Sequence, residues 1–378
     1  MPYWRLSSFY FFYFATLGAL VPYWGPYLKS LGFSAAEIGN LMALILATKI
    51  VAPNLWGWIA DHSGRCMGVV RLAAFLTLVF YTGVFFGTGF WWLAGVMAGF
   101  SFFWNASLPQ LEATTLNYLA GRPGHYGRVR LWGSIGFIVT VWALGPVLDR
   151  YGVPTLLPVL WGLILGIWAA SLAVPEGACA TPRAAQGRLR GLLRRPEVVA
   201  FLVVCFLMQA SHAPYYTFYT IYLGEYGYSK SLIGFLWAVG VICEIGVFLA
   251  LPRLQGRWGL SWLLLGSLAL AALRWLLIAF FPQHLGVLLF AQVLHAATFG
   301  AYHASAVHFV HRFFTGRHQH RGQALYSSVS FGLGGAAGSF YSGYSWMWWG
   351  PAATFLVAAG LALLAFVLAR LFIRPSAA

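Results

Sequence analysis

Two charged residues, Glu112 and Arg130, stand inside apolar stretches of the sequence. Each lies nine residues from Gly121, which begins the turn-like sequence GRPG. If this turn joins two antiparallel helices, the carboxylate and the guanidinium lie at one depth on facing helices. A charge at the centre of a bilayer costs roughly 3 kcal/mol, so such residues usually face the protein interior and mark a substrate path. We therefore expect the pair to bind a substrate, with a structural ion pair that fixes helix packing as the alternative.

A second set of polar side chains lies in apolar stretches of the second half of the sequence. Only Glu112 and Glu244, of eight acidic residues, lie deep in such stretches. A carboxyl group withdrawn from water is protonated more easily, so Glu244 is the predicted proton-coupling residue. For an isolated histidine in a helix, a hydrogen-bonded packing role is the alternative. The set comprises His212, Glu244, Arg274, Gln292, His295 and His303.

The elements that position these residues are predicted to be membrane-spanning helices. Of the 378 residues, 60% are hydrophobic and 8% are charged. Apolar stretches of about twenty residues recur along the chain, and each is long enough to cross a hydrocarbon core of ~30 Å. We predict an all-α integral membrane protein with twelve spans. These lie near residues 6–28, 37–59, 68–88, 91–118, 127–148, 154–174, 198–223, 231–251, 260–281, 285–312, 322–343 and 347–371.

The distribution of basic residues predicts the orientation of these spans. Seventeen arginines fall on the side of the N-terminus, and only Lys29, Arg150 and Lys230 fall on the other. The positive-inside rule therefore places both termini of this multi-pass membrane protein in the cytoplasm. The net charge of +15 is explained by topology, so we do not expect nucleic acid as a partner. Membrane lipids are the expected surroundings, and we expect a monomer.

The sequence contains an internal repeat. Residues 27–44 match residues 222–239 without a gap, with eight identities in eighteen positions. Six spans per half make the two repeats parallel, and proteins built this way bind substrate near the midplane between the halves. The predicted division is an N-terminal bundle at 1–174, a cytoplasmic linker at 175–197 and a C-terminal bundle at 198–378.

The repeat also relates two opposite charges. At the offset of 195 residues, Glu244 coincides with Lys49 of the second span. We expect the two side chains to lie at equivalent depth and to meet, so that a proton on Glu244 releases Lys49, Arg274 or His295. A static ion pair that holds the halves together is the alternative.

A glycine-rich loop after the second span carries a family resemblance. The sequence GWIADHSGR resembles the loop signature of the major facilitator superfamily of transporters, and twelve spans in two parallel repeats fit that fold. YGRVRLWGSIGF, at 126–137, resembles the phenylpropionic acid permease group and, more distantly, lactose permease. His212 to Tyr216 (HAPYY) resembles the same group. The conformational loop motif consists of Gly57, Asp61, Gly64 and Arg65.

This resemblance implies roles for the buried charges. It assigns substrate binding to Glu112 and Arg130, and substrate binding and proton coupling to Glu244, Arg274 and His295. The permease has a second carboxylate one turn after the histidine, where this chain has Thr298. One proton carrier of lactose permease is therefore missing here.

Further candidates come from the aromatic and histidine-rich segments. We include His212, Tyr216 and Asn105 among the substrate-binding residues, since aromatic rings of the first and seventh spans could stack on an aromatic substrate. Four histidines near the end of the tenth span have spacings that suit a metal, but neighbouring arginines repel a cation, so we expect a basic loop and no metal. The cysteines have no paired spacing and are expected to be packing residues. The four histidines are His308, His311, His318 and His320.

These observations favour secondary active transport of a small organic solute by proton symport, with phenylpropionate as the substrate that the resemblance implies. A membrane-embedded enzyme and a non-transporting receptor of the same fold are the alternatives. The sequence contains no GxxxxGK[ST] motif for a nucleotide-driven pump and no convincing catalytic constellation. We therefore expect no enzymatic activity and no cofactor other than the coupling proton.

Overall fold

The computed structural model describes residues 2–119, 124–176 and 189–373, and these ranges contain helices but no β-strand. The all-α fold is confirmed. The turn predicted at Gly121 and most of the predicted linker, 177–188, lie outside the described residues.

Twelve α-helical segments follow one another along the described chain. Short 3₁₀ turns join some of them, and π-helical turns at Ala296–Ala301 and Ser328–Gly334 interrupt two long helices. The segments are α1 Tyr3–Ser30, α2 Ala35–Ser63, α3 Cys66–Thr82, α4 Phe90–Tyr118, α5 Gly124–Tyr151, α6 Leu156–Ala173, α7 Pro196–Glu225, α8 Lys230–Phe280, α9 Leu285–His295, α10 Tyr302–Phe313, α11 Gln319–Ser327 and α12 Gly335–Phe372.

Nine helices of the described ranges are long and apolar enough to cross a membrane, and two of them are long enough to cross twice. Helix α8 has 51 residues, which at 1.5 Å per residue is more than twice the ~30 Å of a hydrocarbon core. It is broken at Gly259, whose φ of 73° lies in the left-handed region that glycine adopts without strain. Helix α12 is broken in the same way at Gly350, with a φ of 84°. The number of crossings stays a prediction.

The loop motif closes the end of α2. Gly57 and Asp61 belong to its last turns, and Gly64 ends it with a φ of 65° and a hydrogen bond from its N–H to Ala60 O of 2.9 Å. Arg65 directly precedes α3. The other end of α2 has a capping box, in which Ser34 and Glu37 satisfy each other's backbone N–H groups. Both ends of α2 are therefore defined by local sequence.

The described chain divides into two compact units. Unit 1 comprises Met1–Pro182 together with Ser229–Phe235, and unit 2 comprises Arg183–Tyr228 together with Leu236–Ala378. In unit 1, α1 packs on α5 and α6, while α4 packs on α2 and α3. In unit 2, α7 packs on α12 along its length, and most of its side chains are buried. The two central helices, α1 and α7, thus have the same place in their units.

An arginine joins two helix ends in unit 1. Arg71 of α3 donates from Nη2 to Val174 O at 2.7 Å and forms an ion pair with Glu176 at 3.7 Å. The same carboxylate accepts a hydrogen bond from the backbone N–H of Met67 at 2.8 Å. The start of α3 is therefore held against the end of α6.

Two cysteines of unit 2, Cys205 and Cys243, are free thiols, as expected for packing residues. The carbonyl of Cys205 accepts a hydrogen bond from Ser330 at 3.2 Å, which joins α7 to the second π-helical turn. Cys66 is disulfide-bonded. The expectation of four packing cysteines was therefore wrong for Cys66.

Within unit 1, a carboxylate caps the first turn of α8. The first N–H groups of a helix have no acceptor inside it, and a carboxylate can supply one. Asp149 of α5 accepts hydrogen bonds from the backbone N–H groups of Lys230 at 2.9 Å and Ser231 at 2.8 Å, and from the Ser231 hydroxyl. The Lys230 ammonium lies 3.7 Å from the same carboxylate.

We expect Asp149→Ala to destabilise the protein by about 1–2 kcal/mol, because it leaves the first N–H groups of α8 without their acceptor. The measurement is thermal unfolding of the purified protein in detergent. The neighbouring Arg150→Ala is the matched control, since the Arg150 side chain forms no hydrogen bond or ion pair with a described residue and lies 5.4 Å from the Tyr151 ring. Equal midpoints for the Asp149 variant and the wild type would contradict the role of this cap.

Candidate functional site

The predicted pair of unit 1 is held by three helices. Glu112 lies on α4 and Arg130 on α5, and α5 packs most extensively on α1. The Tyr126 hydroxyl donates to Glu112 Oε1 at 3.4 Å. Among the described ion pairs with N to O distances within 4.0 Å, none joins Glu112 to Arg130. The two charges therefore belong to one cluster without direct contact.

The Arg130 guanidinium lies against aromatic rings of α1. Its Cζ is 3.8 Å from the ring centroid of Phe14 and 5.8 Å from that of Tyr10, which are cation–π distances. No hydrogen bond joins this guanidinium to another described residue. Its N–H groups are the donors that a bound solute would use, because a guanidinium has five donors in a planar fork.

Asn105 on α4 and Lys49 on α2 are two further predicted site residues of unit 1. The Asn105 amide nitrogen donates to Thr48 Oγ1 at 2.9 Å and to Ile45 O at 3.4 Å, so it joins α4 to α2. Lys49 is half-buried on α2 and has no ion pair with a described residue of unit 1. Since Glu244 belongs to unit 2, the encounter of Lys49 with Glu244 stays a prediction.

The centre of the unit 2 cluster is Arg274, whose side chain is 0% exposed. Its Nε donates to Ala291 O at 2.8 Å. Its Nη1 lies 3.0 Å from His295 Nδ1 and 3.4 Å from Thr298 Oγ1, and its Nη2 donates to Gln292 Oε1 at 3.3 Å. Because a guanidinium can only donate, Nδ1 of His295 is the acceptor and carries no proton in this arrangement.

Glu244 is linked to Arg274 through His295. The carboxylate lies 3.8 Å from His295 Nε2, and its side chain is 16% exposed against 7% for the imidazole. Gly300, in the first π-helical turn, makes room for Glu244, since a methyl group there would lie 3.0 Å from Glu244 Cγ. The π-helical turn thus packs against the Glu244 side chain. Such turns are frequent at functional sites.

Two tyrosines and a glutamine extend this network towards α7. Tyr215 donates to Gln292 Oε1 at 2.9 Å, and Gln292 Nε2 donates to Tyr219 at 2.7 Å. The Arg274 Cζ also lies 4.3 Å from the Tyr215 ring and 4.7 Å from the Trp275 ring. The sequence analysis did not predict a role for Trp275, although it directly follows Arg274 in the sequence.

His212 places a hydrogen-bond acceptor beside these aromatic rings. Its Nδ1 lies 2.8 Å from Met208 O, and a carbonyl only accepts, so Nδ1 carries the proton and Nε2 has a lone pair. His212 is 1% exposed, and Nε2 has no partner among the described residues. Its ring lies 4.8 Å from Trp275 and 6.0 Å from Tyr216.

The histidines at the end of α10 do not form a metal group with the residues that the structure describes. No cluster of three or more His, Cys, Asp or Glu side chains occurs among them. His308 Nδ1 is bound to Ala304 O at 2.9 Å. The side chain of His320 lies outside the described set.

The sequence is similar to those of membrane transporters. Residues 3–357 match the MFS_1 like family model. The chain belongs to the MFS_1 like family. A probable 3-phenylpropionic acid transporter of Escherichia coli (strain K12) is 30% identical over 98% of this chain and 96% of that protein. The maltose permease of Geobacillus stearothermophilus is 30% identical over 92% of this chain and 89% of that protein.

Solved structures show the same fold at lower identity. The nucleoside transporter NupG has a TM-score of 0.86 and 18% identity, and the match covers 99% of this chain and 100% of that one. A bacterial homologue of the human lysosomal transporter Spinster, crystallised inward-facing and unoccupied, has a TM-score of 0.77 and 15% identity, with 100% and 98% coverage. This MFS protein is therefore a multi-pass membrane protein with the major facilitator fold, as predicted.

We expect Glu112→Gln and Arg130→Lys each to weaken solute binding about tenfold or more. An ammonium cannot reproduce a planar fork stacked on Phe14, and an amide removes the negative charge of the cluster. The measurement is the affinity of the purified variants for the transported solute. Arg128→Lys is the matched control, because Arg128 is exposed two residues away. Unchanged affinity in both test variants would remove the pair from the binding site.

Proposed function

We propose that this MFS_1 like protein carries a small organic acid into the cell by proton symport, with Glu244 as the proton carrier. The observation that supports this most is the chain of contacts from half-buried Glu244 through His295 to buried Arg274, in which one carboxylate offsets one guanidinium through an imidazole. A buried cation without an anion is strongly unfavourable, so Arg274 needs a negative charge nearby at every stage of the cycle.

This requirement couples the proton to the solute. When Glu244 is ionised, it supplies the negative charge for Arg274. When Glu244 takes up a proton, that charge is lost, and the carboxylate of a solute can take its place. Proton binding therefore raises the affinity for an anionic solute, and solute binding raises the affinity for the proton by the same factor. Release of either one favours release of the other, which is the requirement of a symporter.

The surroundings of Arg274 favour an aromatic acid. Tyr215 and Trp275 present ring faces to the guanidinium, and His212 places its unpartnered Nε2 next to the Trp275 ring. A flat apolar solute with one carboxylate could stack on these rings while its charge meets Arg274. The relative named as a phenylpropionic acid transporter agrees with this class.

A neutral polyhydroxylated solute is the second candidate, and the unit 1 cluster favours it. Glu112 and Arg130 present an acceptor and unused donors at one place, and each offsets part of the other's charge. Such a pair suits hydroxyl groups better than an anion, and one relative is named a maltose permease. Uptake of labelled aromatic acids and sugars into proteoliposomes would decide between the two classes. Uptake of neither, across a wide panel, would favour a receptor or an enzyme.

If the solute is an anion, we expect its carboxylate form to compete for uptake far better than the corresponding amide. Only the carboxylate can replace the negative charge that Glu244 loses when it takes up a proton, and a charge-assisted hydrogen bond is worth about 1.5–3 kcal/mol. The measurement is competition by 3-phenylpropionate and 3-phenylpropionamide against labelled solute. Equal potency of the two would exclude the anion.

We expect Glu244→Gln to abolish accumulation driven by a pH gradient while counterflow exchange continues. The amide keeps the size of the carboxyl group and cannot take up the coupling proton. The measurement compares both modes in proteoliposomes, with Glu225→Gln, an exposed carboxylate of the same unit, as the control. A variant that still concentrates solute when only a pH difference is imposed would show that Glu244 is not the carrier. Loss of both modes would indicate a structural ion pair.

A further inference from the structure

A cavity of about 550 Å³ lies at one end of unit 2, away from the Arg274 network. It is bounded by the start of α7, the end of α10 and the end of α12, and its size falls in the range of ligand sites. The arginine distribution predicts that this end faces the cytoplasm. The lining residues are Arg195, Pro196, Glu197, Phe309, Arg312, Phe313, Leu371, Phe372 and Ile373.

The polar side of this cavity is positively charged. Its charged lining residues are Arg195, Arg312 and Glu197, and neither arginine forms an ion pair with a described residue. Arg312 Cζ lies 6.0 Å from the Phe309 ring centroid. Phe309 is 0% exposed and packs on Phe201, so its ring is held in place beside Arg312. Two guanidinium groups around one recess suit a phosphate, which each can bind through two parallel N–H groups.

The part of the lining that the end of α12 contributes is apolar and mostly exposed. Leu371 is 65% exposed and Phe372 is 45% exposed, whereas Ile373 beside them is buried. A small anion such as free phosphate gains nothing from this wall. An acyl chain lying along it would remove apolar surface from water, at roughly 25 cal/mol for each Å². The combination of basic recess and apolar wall therefore selects an amphiphile.

We propose that this cavity binds an anionic phospholipid, with the headgroup phosphate between Arg195 and Arg312 and an acyl chain along Leu371 and Phe372. Basic pockets between membrane helices on the cytoplasmic side are suited to acidic lipid headgroups. Glu197 opposes the headgroup charge and limits the affinity. The site is independent of the transported solute, so it stands whether or not the proposed function is correct.

The test is native mass spectrometry of the full chain in detergent, titrated with phosphatidylglycerol, phosphatidylcholine or glycerol 3-phosphate. We expect phosphatidylglycerol to bind best, and Arg195→Gln combined with Arg312→Gln to weaken it roughly tenfold to thirtyfold, at about 1 kcal/mol per arginine. Glu197→Gln should tighten binding a few-fold. Leu371→Ser should weaken the phospholipid while leaving glycerol 3-phosphate unchanged.

The matched control is Arg253→Gln combined with Arg257→Gln, which removes the same charge from exposed positions on the same predicted side, outside the cavity. Equal weakening by both double variants would reduce the effect to general surface charge and overturn the proposal. Binding of glycerol 3-phosphate as tight as that of phosphatidylglycerol would also overturn it, in favour of a soluble anion. Thermal unfolding of each variant confirms that it is folded.

Discussion

Burial of the Arg274 guanidinium is the constraint on which the rest of unit 2 depends. A charge that is fully removed from water must find hydrogen-bond acceptors and an opposite charge, or the unit does not form. Here the acceptors come from α9 and from the first π-helical turn, and the opposite charge comes from Glu244 through His295. The tyrosines of α7 complete the network through Gln292. One cation thereby joins three parts of the chain that are distant in sequence.

The two units hold their intramembrane arginines differently: Arg274 is buried, and Arg130 is half-buried. Arg274 donates to four residues, whereas Arg130 lies on the rings of Phe14 and Tyr10 without a hydrogen bond to a described residue. A saturated guanidinium changes partners only when a competing anion arrives, which suits coupling. A guanidinium with unused N–H donors can donate directly to a solute, which suits binding. The proposed division of roles between the units follows from this difference in hydrogen bonding.

Local sequence and long-range packing both determine where the helices begin and break. The capping box at Ser34 acts through hydrogen bonds within four residues. The glycines at 64, 259 and 350 act through backbone conformations that other residues adopt only with strain. The start of α8 depends instead on Asp149, which is more than eighty residues away in sequence. Such a cap has no local signature, because the residues around Asp149 do not show which helix its carboxylate reaches.

The sequence by itself determined the fold class, because the bilayer imposes length and hydropathy on each spanning helix and the internal repeat is visible in the chain. It also singled out Glu112, Arg130, Glu244, Arg274 and His295, since charges in apolar stretches are costly wherever they lie. Tertiary structure decided which of these meet: it joined Glu244 to His295 and Arg274, and it separated Glu112 from Arg130 by more than an ion-pair distance. The part of Trp275 followed only from packing, as did the hydrogen bonds that Gln292 and Thr298 make with Arg274. The reason is that the rotation of each helix about its axis, which decides what a side chain faces, depends on contacts with neighbouring helices and is not encoded in periodicity alone.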